Sequence, residues 1–342
     1  MNYLIFRVDR IGDFLIILSL INSIKRNKPN AKINIVCSKH NIDFIKKIQI
    51  INKVYILDRK SFISKLKLIT ELRKFSYESI ITSDKKNSSI FISLFLKSKK
   101  KIFNVSKYFQ YRILKIFYKD VFIDNDDTSK NINEILKENS RCLDCQLDTK
   151  DNFFFRENYF KEYYNHQKIL DLDNLNYAIF HYDEKWENLK YQKVFKKADL
   201  LTDITPNTTE LKNFLNQLSD KHEETIIVTT GKIETENINH IKKVSNKISD
   251  NIYEIELDKN KAYLITNESF YSTSHLISRS KKFISCHGAF THIAANYNVK
   301  IIDIIEANKK QHYRRITNQI NNYNYIFRDK FSTLSKDILN NL

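Results

Sequence analysis

Residues 3–28 constrain the fold more than any other stretch. An apolar run, Tyr3-Leu4-Ile5-Phe6-Arg7-Val8, leads into Asp9-Arg10-Ile11-Gly12-Asp13, and a long amphipathic stretch follows as far as Pro29. The first run has the length of a buried strand, and residues 14–24 carry apolar side chains at helical spacing. A strand, tight loop and helix in that order put the loop's side chains at the carboxyl edge of a parallel sheet, where α/β proteins bind ligands. Two carboxylates, a guanidinium and a glycine fall within five residues. The chain has only three glycines in 342 residues, so Gly12 predicts a backbone conformation that larger residues resist. The alternative is an ordinary βα turn with solvated charges.

The same alternation continues along the chain. Strand patterns fall at 32–37, 53–57, 77–82 and 101–105, separated by helical patterns at 41–48, 61–75 and 87–96. A second series places strands at 177–181, 225–230, 252–257, 283–286 and 300–305. Helices at 208–221, 234–246, 270–281 and 291–297 lie between them, and a short strand at 323–327 and a helix at 331–342 close the series. Residues 148–175 break the alternation, except for an aromatic helix near 157–166, and mark a boundary. Strands alternating with helices build parallel sheets covered on both faces. The expectation is an α/β chain of two facing Rossmann-like domains, 1–150 and 151–330. The helix 331–342 is free to pack back on the first.

The formal charge is +17 and the sequence pI about 9.4. Lys, Asn and Ile are abundant throughout, so part of this charge is compositional background and only local clustering carries meaning. Residues 97–119 hold eight Lys or Arg and no acid, interleaved with Phe103, Tyr108, Phe109, Tyr111, Phe117 and Tyr118. Such a segment suits an anionic lipid surface or a phosphorylated acceptor. Single-stranded nucleic acid would also fit it, but no nucleic-acid motif accompanies it, and a solvated Lys-rich face is the plain alternative. Cys142 and Cys145 form a lone CxxC inside a predicted helix, a pattern that favours a helical face over a metal or redox site. The remaining two cysteines, Cys37 and Cys286, end strands. Asp124-Asn-Asp-Asp127 reads as cap chemistry for the helix at 131–145 rather than as a metal-binding DxD. No signal peptide is visible, and no apolar run approaches the ~20 residues of a membrane span. The expected location is the cytoplasm, soluble or peripheral on the cytoplasmic face of the inner membrane.

Gly12, Gly231 and Gly288 each follow a predicted strand. With so few glycines, neither GxGxxG nor a P-loop is present. The segment Ile284-Ser-Cys-His-Gly288-Ala-Phe-Thr-His292 runs from a strand into a helix start, a ready anion site. Together, Arg7-Val-Asp9-Arg10-Ile-Gly12-Asp13 and Ile284 to Ala295 resemble the amino-terminal signature and the donor-site motif of glycosyltransferase family 9, the lipopolysaccharide heptosyltransferases. The resemblance spans nearly the whole chain. It implies a GT-B fold with an acceptor site in the first domain and a nucleotide-sugar site in the second. It further implies an inverting, metal-independent reaction without a cofactor, with ADP-heptose as the family's usual donor and a glycolipid or oligosaccharide as acceptor.

By the same resemblance Asp13 is the catalytic base, which takes the proton of the attacking sugar hydroxyl. Gly12 and Arg10 would contact acceptor or sugar; for Arg10 a salt bridge to Asp9 is the alternative. The donor side would draw on His181, Lys185, Gly231, His287, Gly288, Thr291, His292 and Glu306. Lys185, Gly288, Thr291 and His292 would meet the diphosphate, and Glu306 the ribose. His292 reads equally as a core histidine, and Trp186 as packing. This chain departs from the family pattern in having Cys286-His287 before Gly288, and His292 four residues after it. A non-catalytic GT-B relative that binds a nucleotide sugar or a glycan is the second reading.

Overall fold

The structure, a computed structural model, describes residues 1–125, 130–147, 170, 172, 174–187, 202–221 and 224–342. It divides into two compact units. The first is Met1–Tyr159 with Arg314–Gln319, and the second Phe160–Tyr313 with Ile320–Leu342.

The first unit is a six-stranded parallel sheet. Its strands are β1 (Asn2–Phe6), β2 (Lys32–Cys37), β3 (Lys53–Ile56), β4 (Tyr77–Thr82), β5 (Ser98–Val105) and β6 (Asp120–Ile123), in the order β3-β2-β1-β4-β5-β6. The central strands are apolar on both faces, as a sheet covered by helices requires; Tyr3, Leu4, Ile5 and Phe6 are fully buried. Helix α1 (Ile11–Asn27) is buried along Phe14–Leu18, Leu20, Ile21 and Ile24. The remaining helices are α2 (Ile42–Ile45), α3 (Phe62–Leu72), α4 (Asn87–Leu94), α5 (Tyr108–Phe117) and α6 (Ile132–Cys142). Leu68, Ile69 and Leu72 of α3 share one core cluster with Ile92 of α4, and Ile90 of α4 shares another with Leu114 of α5. These three helices therefore cover a common face of the sheet. Because β2 and β3 lie on one side of β1, and β4, β5 and β6 on the other, the order reverses between β1 and β4. The loops leaving these two strands part there, which opens a crevice at their carboxyl ends.

The second unit is an eight-stranded sheet in the order β14-β13-β12-β7-β8-β11-β10-β9. Its strands are β7 (Tyr177–Tyr182), β8 (Thr225–Thr230), β9 (Asn246–Lys247), β10 (Ile252–Glu256), β11 (Lys261–Ile265), β12 (Lys282–Cys286), β13 (Lys300–Ile305) and β14 (Tyr323–Phe327). The described helices are α7 (Thr208–Lys221), α8 (Glu236–Val244), α9 (Phe270–Arg279), α10 (Ala289–Asn296) and α12 (Phe331–Asn341), while α11 (Lys310–Thr317) belongs to this unit only as far as Tyr313 and from Arg314 to the first. Here the reversal falls between β7 and β12, which pair in parallel with Ser285 opposite His181.

Three expectations need correction. The second sheet is not wholly parallel, because β10 pairs antiparallel with both β11 and β9, and β11 itself was not anticipated. Gly12 sits in the first turn of α1, and no glycine has a positive φ. Its place is therefore helical, not a strained turn. Helix α12 buries Phe331, Leu334 and Ile338 in the second unit's core beside Phe214 and Trp186, where the expectation left it free to pack on the first domain. The aromatic helix expected near 157–166 lies outside the described residues. Among the described residues no helix is long and apolar enough to cross a membrane.

Candidate functional site

Each unit gathers chemistry-bearing side chains at its own strand-order reversal. In the first unit, Arg7 follows β1 and is buried. Its guanidinium donates to the carbonyl oxygens of Ser83, just past β4, and of Asp13 (Nε to O, 3.0 Å). It lies 3.3 Å from Asp13 Oδ1 and 3.8 Å from Asp9 Oδ2. Asp13 is the third residue of α1, and its Oδ2 accepts the backbone N–H of Arg10 at 3.1 Å. That bond satisfies a donor left over at the helix start, and a carboxylate there also meets the positive end of the helix dipole. The Asp13 side chain is nonetheless 42% exposed, so it faces solvent at the crevice while a buried cation holds it from behind. Lys86, in the loop after β4, pairs with Asp9 at 3.2 Å.

Asp84 completes this floor. It is fully buried and accepts from Val8 N (3.3 Å), Lys86 N (3.1 Å) and Ser89 Oγ (2.6 Å), so one carboxyl ties the loops after β1 and β4 together. Burial pushes its pKa above the ordinary carboxylate value, against the hydrogen bonds that would lower it.

In the second unit the loop after β7 folds against the loop after β12. Lys185 Nζ lies 2.8 Å from Asp183 Oδ2 and donates to the carbonyl oxygens of Cys286 (3.1 Å) and His287 (3.0 Å). Gly288 follows at once as the N-cap of α10. A β-carbon there would sit 2.9 Å from Lys185 Nζ, so the missing side chain is what lets the ammonium reach the helix start. Burial would lower the Lys185 pKa, but Asp183 and its neighbours outweigh it and hold the ammonium charged. Gly231, at the end of β8, is constrained likewise, since a β-carbon would come within 2.6 Å of Glu184 Oε2 and 3.0 Å of Asp183 Cβ.

His181 is buried, with Nδ1 2.9 Å from Thr229 Oγ1 and Nε2 3.9 Å from Asp183. Burial pushes its pKa down to about 4, against the pull of Asp183, so the ring is neutral at physiological pH. His287 Nδ1 meets the buried Asp303 at 2.5 Å; Asp303 also accepts from Tyr323 Oη (2.8 Å) and Thr291 Oγ1 (3.3 Å). Thr291 Oγ1 in turn accepts the Gly288 N–H at 3.2 Å. His292 is buried and packs edge-on against His287, with ring centroids 5.5 Å apart. Glu306 is buried against Arg328 (3.1 Å) and accepts from the backbone N and hydroxyl of Thr202. Its carboxylate is thus engaged in holding the loop. Arg328 reaches further, to the carbonyl oxygens of Thr202 (3.1 Å) and Lys185 (2.7 Å).

The structure therefore gathers His181, Lys185, Gly231, His287, Gly288, Thr291 and Glu306 around one set of strand ends, and Arg10, Gly12 and Asp13 around another. Sequence reading missed Arg7, Asp84, Asp183, Asp303 and Arg328, which hold these groups in place. Trp186 is core: it is fully buried, stacks on Tyr182 and donates Nε1–H to the His181 carbonyl. Asp124 pairs with Lys85 (3.2 Å) and Arg315 (2.8 Å). Asn131 with Glu134 caps α6, and residues 126–129 lie outside the described set. Cys142 ends α6 with its thiol 3.4 Å from Asp120, and Cys145 is buried. Among the described residues no cluster of three His, Cys, Asp or Glu side chains is arranged to hold a metal ion.

Two Rossmann-like units, each with a polar edge at its strand-order reversal, define a fold of the GT-B class, and solved structures share it over the full length of the chain. Heptosyltransferase WaaC of E. coli, solved with ADP, is 12% identical with a TM-score of 0.61, covering 100% of this chain and 98% of that one. A glycosyl transferase family 9 protein from Veillonella parvula is 8% identical with a TM-score of 0.64, over 98% and 88% of the two chains. UDP-GlcNAc 2-epimerase from Methanocaldococcus jannaschii is 12% identical with a TM-score of 0.53, over 100% and 92%. No protein-family profile matches the sequence. No curated protein matches it either. The expected fold is borne out, and the likeness read from the two sequence motifs extends to the structure as a whole.

Proposed function

We propose that the protein is an enzyme, an inverting and metal-independent glycosyltransferase. In this reading it moves a sugar from a nucleoside-diphosphate sugar to a lipopolysaccharide or other cell-envelope glycan on the cytoplasmic side of the inner membrane. One observation carries the reading: a charged lysine held at the start of α10, against a glycine whose missing side chain makes room for its ammonium. An ammonium and a helix N-terminus together suit a diphosphate. The same groups stabilise the negative charge that develops as the diphosphate departs.

The steps follow from the charges. The acceptor hydroxyl gives its proton to Asp13, and its oxygen attacks the anomeric carbon from the face opposite the leaving group. The bond from that carbon to the diphosphate oxygen breaks, and the nucleoside diphosphate leaves with the electron pair toward Lys185. Arg10 and Gly12 line the acceptor side. His181, Gly231, His287, Thr291, His292 and Glu306 shape the donor side. Heptose is the sugar that the structural likeness to heptosyltransferases favours.

A second reading, nucleotide-sugar binding without transfer, draws support from Asp13, whose two carboxylate oxygens both have partners within the fold. A thermal-shift panel of ADP-, GDP-, UDP- and CMP-sugars tests the donor side. A bound donor at a hundred times its Kd stabilises the folded state by about 2.7 kcal/mol. We expect one nucleotide class to raise the melting temperature of the wild type and to leave Lys185→Met unmoved. A panel without effect on the wild type would defeat both readings.

A further inference from the structure

Helix α5 is built inside out. Leu114 is buried against the sheet, and Tyr111 and Tyr118 are partly buried beside it. At 100° per residue, Phe109, Ile113, Ile116 and Phe117 fall together on the opposite side, and these are the side chains left in water. Ile116 is 76% exposed and Phe117 74%. The neighbouring α4, which packs on the same core cluster, leaves Phe91 exposed, with Phe95 just beyond its end; their rings touch at 4.9 Å. Isolated exposed apolar residues need no explanation, but a contiguous group of large ones on adjacent helices marks a contact surface.

The charges around this surface indicate its partner. Of the basic residues in 97–119, those on β5 are occupied within the fold: Lys99 pairs with Glu78, Lys100 donates to the Cys142 carbonyl, and Lys101 donates to the Leu94 carbonyl. Lys107, Arg112, Lys115 and Lys119 are exposed and meet no carboxylate among the described residues. No acid lies between 97 and 119. An apolar stripe flanked by these cations suits an anionic bilayer surface, where the stripe enters the boundary between headgroups and chains and the cations meet lipid phosphates.

We propose that the outer face of α5, with the exposed end of α4, is the surface by which this protein sits on an anionic phospholipid membrane. The proposal gives the glycosyl-transfer reading a route to a lipid-borne acceptor but does not depend on it, because it is tested without any nucleotide sugar. The full chain is floated with vesicles of phosphatidylcholine alone and of phosphatidylcholine mixed with phosphatidylglycerol. Binding is expected only to the mixed vesicles and is expected to weaken as salt is raised. Ile116→Glu with Phe117→Glu should lower the partition coefficient by about tenfold or more, and Lys115→Glu with Lys119→Glu by a similar factor. Both pairs replace exposed side chains, so an unchanged melting temperature certifies the fold. Equal binding by wild type and variants would overturn the proposal. So would an absence of binding to mixed vesicles, or a wild-type dimer in solution that the Ile116 and Phe117 substitutions dissociate, since the face would then serve a second copy of the chain.

Discussion

The two strand-end sites have the same architecture and opposite electrical layering. In the first, the buried group is a cation, Arg7, and the group it presents to solvent is a carboxylate, Asp13. In the second, the buried group is a carboxylate, Asp183, with 7% of its side chain exposed, and the group it presents is an ammonium, Lys185. Each buried charge holds its partner in position, and Asp183 keeps the Lys185 ammonium charged. A site that presents a carboxylate is suited to taking up a proton from a hydroxyl. One that presents an ammonium beside a helix N-terminus is suited to holding phosphate. The difference shows how a strand-order reversal, present in both sheets, provides polar edges of opposite sign according to which charge is buried.

The largest effect that tests this contrast is catalytic. Asp13→Asn keeps an acceptor for the Arg10 N–H but cannot take a proton. Sugar transfer should fall by about 10²–10⁴-fold, with donor binding and the melting temperature little changed. A variant that transfers at the wild-type rate would remove Asp13 from the base role. Next in size is the cost of stranding a buried charge. Arg328→Met leaves Glu306 unpaired at 5% side-chain exposure and should cost about 3–5 kcal/mol in urea unfolding. Arg7→Met should cost less, about 2 kcal/mol, because Asp9 and Asp13 can still turn to water at 18% and 42% exposure. Equal losses would mean that the two sites are buried alike.

The last effect is on acid stability, and its sign differs between one buried group of each unit. The His181 pKa is pushed down to about 4 in the folded protein, from 6.5. Between these values the unfolded chain binds more protons, so stability falls as pH drops through that window, by at most about 3 kcal/mol. Asp84 acts the other way. Its raised pKa contributes stability at low pH that is lost as pH rises through the folded value. Urea unfolding at pH 7 and pH 4.5 should show a smaller acid loss for His181→Gln than for the wild type. An identical loss would mean that His181 does not titrate in the folded state as its burial requires.

The alternation of strands and helices was legible because it is local: β1, α1, β7, β12 and α10 each announce themselves within a dozen residues. So were Asp13, Lys185 and Gly288, which stand at strand ends. What sequence did not reveal was joined at long range. Arg7 reaches Ser83, and Arg328 reaches Lys185 across 143 positions; no local pattern marks such a pair. Helix α5 was hidden for another reason. Its apolar side chains face outward and it runs among lysines, so a reading that expects apolar residues inside records a basic, aromatic segment instead. Strand β11 is short and is half of an antiparallel hairpin inside an otherwise parallel series, and alternation alone does not foresee it. Gly12 misled because scarcity was taken for strain.

Trp186 is the only tryptophan in the chain. It is fully buried in the second unit, stacked on Tyr182, edge-on to Phe180 and Phe331, and bonded through its indole N–H to the carbonyl of His181. It directly follows Lys185. The protein's intrinsic fluorescence excited at the red edge is therefore a one-residue signal from the second unit. Unfolding of that unit registers as a red shift in emission with no label attached, and the unit that carries Asp13 contributes nothing to the trace.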